Sequence, residues 1–196
     1  MTATLPRVGL FLVLALVMAA TRINHFGALP DASWAVFFLA GFYLRGSARW
    51  AFPLLMAEAV LVDFAVITAS GMDFWSHYCV SPAYGCLVAA YGALWFGGSL
   101  VRRHYRGLTP ASLGVAAFGL VASVVVCHLL AQGSFYWLSD SIAAPRSLAG
   151  WWKNYSDWLL PYLGTAALYV GIAAVLQVMG TLLARHLPAA SASASR

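Results

Sequence analysis

The segment Gly71–Ser81 carries the most distinctive chemistry in this sequence, because it holds a cysteine among aromatic side chains. Cys79 follows His77 by two residues, and the total of three cysteines leaves at least one thiol unpaired. A free thiol in an oxidising compartment requires an explanation. Two remain open: a disulfide between Cys79 and Cys86, or a soft metal ligand whose thiolate is favoured by the neighbouring imidazole.

The side chains that could bind a ligand together with Cys79 lie in the same segment or at the same expected end of the helices. Aromatic rings would pack on flat apolar faces, whereas carboxylates and imidazoles would supply hydrogen bonds or metal ligands. His128 could also act as a ligand, although a lone histidine is more often only hydrogen-bonded. The predicted ligand-binding residues are His25, Asp63, Asp73, Phe74, Trp75, His77, Tyr78, Cys79 and Tyr84.

Two acidic residues interrupt an otherwise apolar run, and acids at membrane depth are costly unless they have a function. Glu58 and Asp63 are five positions apart, which places them about 140° apart around a helix of 3.6 residues per turn. They therefore do not form a carboxylate pair on one face. We expect Asp63 to turn towards the ligand site and Glu58 to bond to a neighbouring helix.

The composition excludes a soluble domain, a disordered chain and a nucleic-acid-binding protein. Apolar residues make up 62% of the 196 residues and charged residues 9%, against roughly 25% charged residues in soluble domains. The net charge is +5, but the basic residues are scattered between apolar runs and form no patch for phosphates. The sequence predicts an all-α protein that crosses a membrane several times.

Long uncharged runs predict where the helices cross. Residues 74–101, 107–139 and 158–184 contain no charge, and about 20 apolar residues suffice for one crossing. We expect one domain, residues 1–188, whose first helix is retained and not cleaved as a signal peptide. The Ser/Ala tail, residues 189–196, is expected to be disordered. The six predicted transmembrane helices, the second of them short, lie near 7–24, 32–45, 50–70, 82–101, 110–132 and 157–184.

The distribution of basic and aromatic residues orients the chain. Eight of the eleven Lys and Arg residues fall on the side of both termini, and the positive-inside rule makes that side cytoplasmic. Six of the eight tryptophans fall on the outer side. Because an interfacial belt would serve both sides, this surplus predicts an aromatic-lined cavity that opens outward. We expect a multi-pass protein of the bacterial inner membrane with cytoplasmic termini.

No motif in the sequence indicates a soluble catalytic unit. A Gly-rich phosphate loop, an HExxH motif and a CxxC motif are all missing from the sequence, so no nucleotide site is expected. Ala15 and Ala19 lie four residues apart in the first helix. Small residues at this spacing indicate close contacts within the bundle or a docking face for another membrane subunit.

Four features of the sequence together carry a resemblance to a known family. They are the Ala15-x-x-x-Ala19 spacing, residues 21–27 (TRINHFG), residues 29–39 (LPDASWAVFFL) and the Cys79 segment. With these features the chain resembles the BtuM-type cobalamin transporters, which are solitary relatives of the S components of energy-coupling factor transporters. The resemblance implies a six-helix S-component fold, an outward pocket for cobalamin, and Cys79 as the axial ligand of the cobalt. It also implies that Ala15 and Ala19 contact a transmembrane coupling subunit that works with ATPases.

The chemistry of a corrin is compatible with this resemblance. A corrin has broad apolar faces and an amide-rich rim, and a bond from cobalt to sulfur requires the benzimidazole of the ligand to leave. Donation from the thiolate weakens the opposite axial bond, so Cys79 is also a candidate catalytic residue for removing cyanide from cyanocobalamin. Two alternatives remain: an S-component-like binder of another vitamin, and a haem-binding membrane subunit for electron transfer.

Overall fold

The computed structural model describes residues 5–23 and 29–186, and every regular element in this part of the chain is helical. His25, one of the predicted ligand-binding residues, and the predicted Ser/Ala tail lie outside the described residues. A short 3-10 turn at Arg45–Ser47 precedes the third helix. The helices are α1 (Leu5–Ile23), α2 (Ser33–Tyr43), α3 (Ala48–Ala69), α4 (Pro82–Gly85), α5 (Leu87–His104), α6 (Pro110–Leu138) and α7 (Leu148–His186).

Five of the described helical segments are long and apolar enough to cross a membrane, as expected for an all-α multi-pass membrane protein. α2 has only 11 residues and rises about 16 Å, roughly half the thickness of the hydrocarbon core. Six full crossings are therefore not confirmed, although the second helix is short as predicted. The five segments are Pro6–Ile23, Arg45–Ala69, Pro82–His104, Pro110–Leu138 and Leu148–Leu183.

The short helix α2 forms the centre of the bundle. Nine of its eleven residues are buried, and it contacts α1, α3, α5, α6 and α7. Its sequence is apolar on every side, with Phe37 and Phe38 next to the small residues Ala40 and Gly41. A helix with this pattern is enclosed by other helices and has no polar face to present to water. The segment that is too short for a full crossing is thus the core on which the longer helices pack.

Two glycines bring α2 and α5 into backbone contact. A Cβ atom on Gly98 would collide with the backbone oxygen of Phe38, and one on Gly41 would collide with the backbone oxygen of Trp95. Neither obstacle is a side chain that could turn away, so both positions require glycine. The Ser99 hydroxyl crosses the same contact and donates to the carbonyl oxygen of Gly41 at 3.0 Å. The small residues thus serve helix packing inside the bundle.

The start of α6 agrees with the sequence-based expectation. The side-chain oxygen of Thr109 accepts a hydrogen bond from the backbone N–H of Ser112 at 3.2 Å. Pro110 occupies the first turn, where its missing N–H has no cost. A capping side chain followed by proline is a strong local signal for the beginning of a helix.

Two other helix boundaries differ from the expectation. α7 begins at Leu148 and not near residue 157, so Lys153 and Asp157 lie within the helix and not in a loop. They lie four residues apart on the helix surface and form an ion pair of 2.6 Å. The predicted fourth span is interrupted at Cys86, which separates α4 from α5. Hydropathy identifies only the apolar part of a helix, and the first turns of α7 lie before that part.

Replacing Gly98 by alanine is expected to lower the free energy of unfolding by about 1–3 kcal/mol, the usual cost of overpacking an interior. The added Cβ atom would push α5 away from Phe38 on α2. Thermal unfolding of the purified protein in detergent measures the change. Gly92→Ala in the same helix is the matched control, because a Cβ atom there meets nothing within 4 Å. Equal destabilisation of the two variants would contradict a backbone contact between α2 and α5.

Candidate functional site

A cavity of about 610 Å³ opens at the end of the bundle where residues 70–81 connect α3 to α4. Its walls come from the last turns of α1 and α3, the start of α2, the connecting segment, and parts of α5, α6 and α7. This volume is within the range of ordinary small-molecule sites. Side chains distant in sequence therefore meet in one concave surface, and their contacts determine what it can bind.

An ion pair between α1 and α3 lies in the cavity wall. The Nε and Nη2 atoms of Arg22 donate to the two carboxylate oxygens of Asp63, both at 2.6 Å. The Tyr84 hydroxyl donates to the same carboxylate at 2.6 Å. The Arg22 side chain is buried, and the two parallel bonds fix its plane as well as its position. The pair therefore joins two transmembrane helices at the site.

The other face of the Arg22 guanidinium contacts residues around the start of α2. Its Nη1 atom donates to Asp31 at 3.2 Å and to the Ser33 hydroxyl at 3.0 Å. The Tyr91 hydroxyl lies 3.4 Å from the same nitrogen. Asp31 in turn accepts the backbone N–H of Ser33 at 2.8 Å, which orders the first turn of α2. With two carboxylates and one guanidinium, this cluster has a formal charge of −1 when all three groups are ionised.

Cys79 lines the cavity as a half-buried free thiol, so the alternative of a disulfide with Cys86 is not realised. The buried His77 ring accepts the backbone N–H of Cys79 at its Nδ1 atom, at 3.3 Å. His77 therefore orders the backbone of the loop.

The surroundings of Cys79 favour the protonated thiol. Burial raises the pKa of Cys79, the Tyr78 hydroxyl lowers it, the Asp63 carboxylate raises it and Arg22 lowers it, in decreasing order of effect. The interaction with Cys79, together with burial, raises the pKa of Tyr78 to about 12, so this phenol stays protonated. Because the balance for Cys79 is upward, the thiolate is a minor species at neutral pH.

The wall formed by α6 and α7 combines aromatic rings with neutral polar groups. The Nε2 atom of His128 lies 2.9 Å from the carbonyl oxygen of Tyr155. Trp34 and Tyr162 stack with ring centroids 4.5 Å apart and an interplanar angle of 18°. The side-chain amides of Gln132 and Asn154, also in the lining, are hydrogen-bonded to each other. This wall offers flat apolar faces beside amide groups.

The structure brings together five of the nine predicted ligand-binding residues in the cavity lining: Asp63, His77, Tyr78, Cys79 and Tyr84. Three others lie elsewhere. Phe74 is buried beneath the loop against Phe64 and Tyr84, whereas Trp75 is 78% exposed. The Asp73 carboxylate accepts the backbone N–H of Ser76 at 2.9 Å and so stabilises a turn. Phe74, Trp75 and Asp73 therefore lie outside the lining of this cavity.

Arg22, the cationic centre of the site, is not among the predicted ligand-binding residues. The sequence places it only as one of the three basic residues on the outer side. A signal was nevertheless present, since Asp63 is an intramembrane acid that needs a partner at similar depth. Cavity-lining residues outside the predicted set include Arg22, Asp31, Trp34, Tyr91, Gln132, Asn154, Trp158 and Tyr162.

Neither protein-family models nor curated protein sequences show a match to this chain. The class of this protein therefore has to follow from its own helices and cavity. The described residues form an all-α multi-pass membrane protein. At one end it has a cavity that combines a buried ion pair, aromatic rings and one free thiol.

Asp63→Asn is expected to lower the free energy of unfolding by about 3 kcal/mol, because breaking a buried pair leaves an uncompensated charge. Unfolding in detergent, followed by circular dichroism, measures the loss. Asp157→Asn is the control, because its pair with Lys153 has side chains that are 52% and 77% exposed and should contribute about 0.5 kcal/mol or less. If both variants lose equally little free energy of unfolding, Asp31 alone is sufficient to compensate Arg22.

Proposed function

We propose that this protein binds cobalamin in the cavity and carries it across the membrane, with the Cys79 thiolate as axial ligand of the cobalt. The observation that carries the proposal is the half-buried free thiol of Cys79 in a cavity wall beside aromatic rings. Among the described residues, no cluster of three or more His, Cys, Asp or Glu side chains is suited to a metal ion. A metal that brings its own equatorial ligands needs only one axial donor, and a soft thiolate is a suitable one.

The shape and polarity of the cavity support a flat, amide-rimmed ligand. Stacked rings such as Trp34 and Tyr162 present faces on which an apolar macrocycle can lie. The Gln132 and Asn154 amides offer both donors and acceptors to the carboxamides at a corrin rim. The cavity is open at one side, so the nucleotide portion of a cobalamin can extend out of it.

The surroundings of Cys79 support coupling between metal binding and thiol ionisation. The Asp63 carboxylate is close enough to Cys79 to influence its ionisation. A protonated thiol is a weak ligand, but Co(III) stabilises the thiolate by forming the bond, and the proton is released. Cobalt binding and thiol ionisation are thus coupled.

The same geometry supports removal of cyanide from bound cyanocobalamin. The thiolate forms a bond to cobalt from the lower face, after the benzimidazole has left. The cobalt–carbon bond opposite then breaks, and cyanide leaves with the electron pair and takes up the proton released by the thiol. Cobalt remains Co(III), so the step consumes no oxidant or reductant. The cavity contributes by presenting the thiol to the bound ligand at high effective concentration.

The arrangement of the connections supports an outward-facing cavity in the bacterial inner membrane. Five basic residues lie at the α2–α3 and α5–α6 connections, at the end of the bundle away from the cavity: Arg45, Arg49, Arg102, Arg103 and Arg106. The positive-inside rule assigns that end to the cytoplasm. With α2 counted as a partial sixth crossing, both termini are cytoplasmic. A coupling subunit that contacts α1 near Ala15 and Ala19 remains part of the proposal.

Cys79→Ser is expected to weaken cobalamin binding by roughly 10- to 1,000-fold, which corresponds to the loss of one coordinate bond. Serine keeps the shape but offers a hard, protonated oxygen. The absorbance spectrum of the purified protein with added cobalamin gives both affinity and coordination, and it should revert towards the form in which benzimidazole is bound. Cys86→Ser is the matched control, because Cys86 is a second free, half-buried thiol outside the lining.

Three outcomes of this experiment would redirect the proposal. Unchanged affinity and spectrum in Cys79→Ser would give Cys79 a structural role. An equal loss in Cys86→Ser would indicate a general effect on folding. A wild-type protein that ignores cobalamin but shows a haem spectrum, or binds another vitamin, would favour one of the alternative ligands.

The rate of cyanide removal is expected to rise with pH, because burial raises the pKa of Cys79 and only the thiolate binds cobalt. Below that pKa the thiolate fraction, and with it the initial rate, increases about tenfold per pH unit. Stopped-flow spectra of wild-type protein mixed with cyanocobalamin between pH 6 and 9 measure this profile. A rate independent of pH, or one that persists in Cys79→Ser, would assign the reaction to another group.

A further inference from the structure

A second groove, separate from the cavity, lies on the outside of the bundle between α1 and α3. Its volume is about 430 Å³, and Phe11, Leu54, Ala57, Glu58, Leu61 and Ala65 are among its lining residues. Every lining side chain except Glu58 is apolar. Leu54 and Leu61 at its rim are 50% and 66% exposed, so the groove opens towards the surrounding bilayer.

Glu58 is in an energetically unfavourable place. It is the eleventh of the 22 residues of α3 and therefore lies at the middle of a membrane-spanning helix. It makes no hydrogen bond or ion pair with any other described residue, so the expected bond to a neighbouring helix of the chain is not formed. An ionisable side chain near the bilayer centre costs about 2.5–3.5 kcal/mol on insertion scales, and such residues usually face a partner.

We infer that the α1–α3 groove is a docking surface for a transmembrane helix of another protein, which carries a lysine or arginine at mid-membrane depth opposite Glu58. A basic side chain compensates the carboxylate, for which no donor is found among the described residues. Ala57 and Ala65 of α3 line the groove together with Glu58. Small residues at such positions let the backbones of two helices approach closely.

The charge pattern argues against a second copy of this chain as the occupant. A symmetric pair of grooves would place two Glu58 carboxylates opposite each other in a medium of low dielectric constant. In the part of the chain that the structure describes, basic residues lie near helix ends or in connections. Arg22, which reaches inward, already pairs with Asp31 and Asp63. The cation therefore comes from a different protein.

The groove is also distinct from the Ala15 and Ala19 positions in α1. Neither alanine is part of its lining, and Ala15 packs against the core of the bundle. The groove instead uses α1 and α3 together, the same two helices that the Arg22–Asp63 ion pair joins at the cavity. A partner seated there contacts both helices below the ligand site.

Two synthetic transmembrane peptides test the inference: a polyleucine helix with one central lysine, and the same helix with leucine at that position. The purified full-length protein and each peptide are placed in phosphatidylcholine vesicles, and association is measured by fluorescence energy transfer. Wild-type protein is expected to bind the lysine peptide at least about tenfold more tightly than the leucine peptide. Glu58→Gln, which keeps the shape and removes the charge, should abolish this preference.

A relocated carboxylate provides the matched control. In the double variant Glu58→Leu with Val121→Glu, the same charge lies on α6 at a lipid-facing position that is 44% exposed and outside the groove. This variant should show no preference for the lysine peptide if the groove and the charge act together. Circular dichroism checks that the variants keep the helical content of the wild type. If the wild type binds cobalamin, the same affinity in the variants is a second check that they are folded.

Three results would overturn the inference. Wild type without a preference for the lysine peptide means that lipid alone covers the groove. Equal binding by the relocated variant means that charge without the groove is sufficient. Energy transfer between wild-type copies that is lost in Glu58→Gln means that a second copy is the occupant. Each result stands apart from cobalamin binding, because the peptide assay contains no cobalamin.

Discussion

The Arg22 guanidinium holds the cavity end of this protein together. It makes two 2.6 Å bonds to Asp63 on α3 and contacts Asp31 and Ser33 at the start of α2. Three helices are therefore tied at one point where water is scarce and an unpaired charge would be costly. The pair also places two opposite charges in the cavity wall. The stability of the bundle and the charge of its site thus depend on the same contact.

The second constraint is the short central helix. α2 rises only about halfway through a bilayer, and close backbone contacts at Gly41 and Gly98 hold it against α5. Its first turn, with Asp31 before it and Trp34 in it, belongs to the cavity lining. Longer helices continue past this level and form the walls. A cavity at one end is thus the direct consequence of a core helix shorter than its neighbours.

The proposed chemistry follows from what surrounds Cys79. The buried His77 orders the loop backbone, and the upward shift of the Cys79 pKa favours the protonated thiol. Such a thiol is protected from nonspecific reactions of thiolates, yet it becomes a strong ligand once a positive metal displaces its proton.

The sequence by itself determined the class of the protein, the positions of the long helices and the short second helix. A bilayer imposes length and apolarity on each helix separately, so these properties can be predicted without knowing its neighbours. It also identified Asp63 and Cys79, because an acid or a thiol in such surroundings is unusual in itself. Only the tertiary structure decided that Arg22 turns inward, that Trp34 lines the cavity while Trp75 points away, and that α7 begins at Leu148. Those outcomes depend on which distant helices meet, and local hydropathy does not predict how side chains far apart in the chain pack.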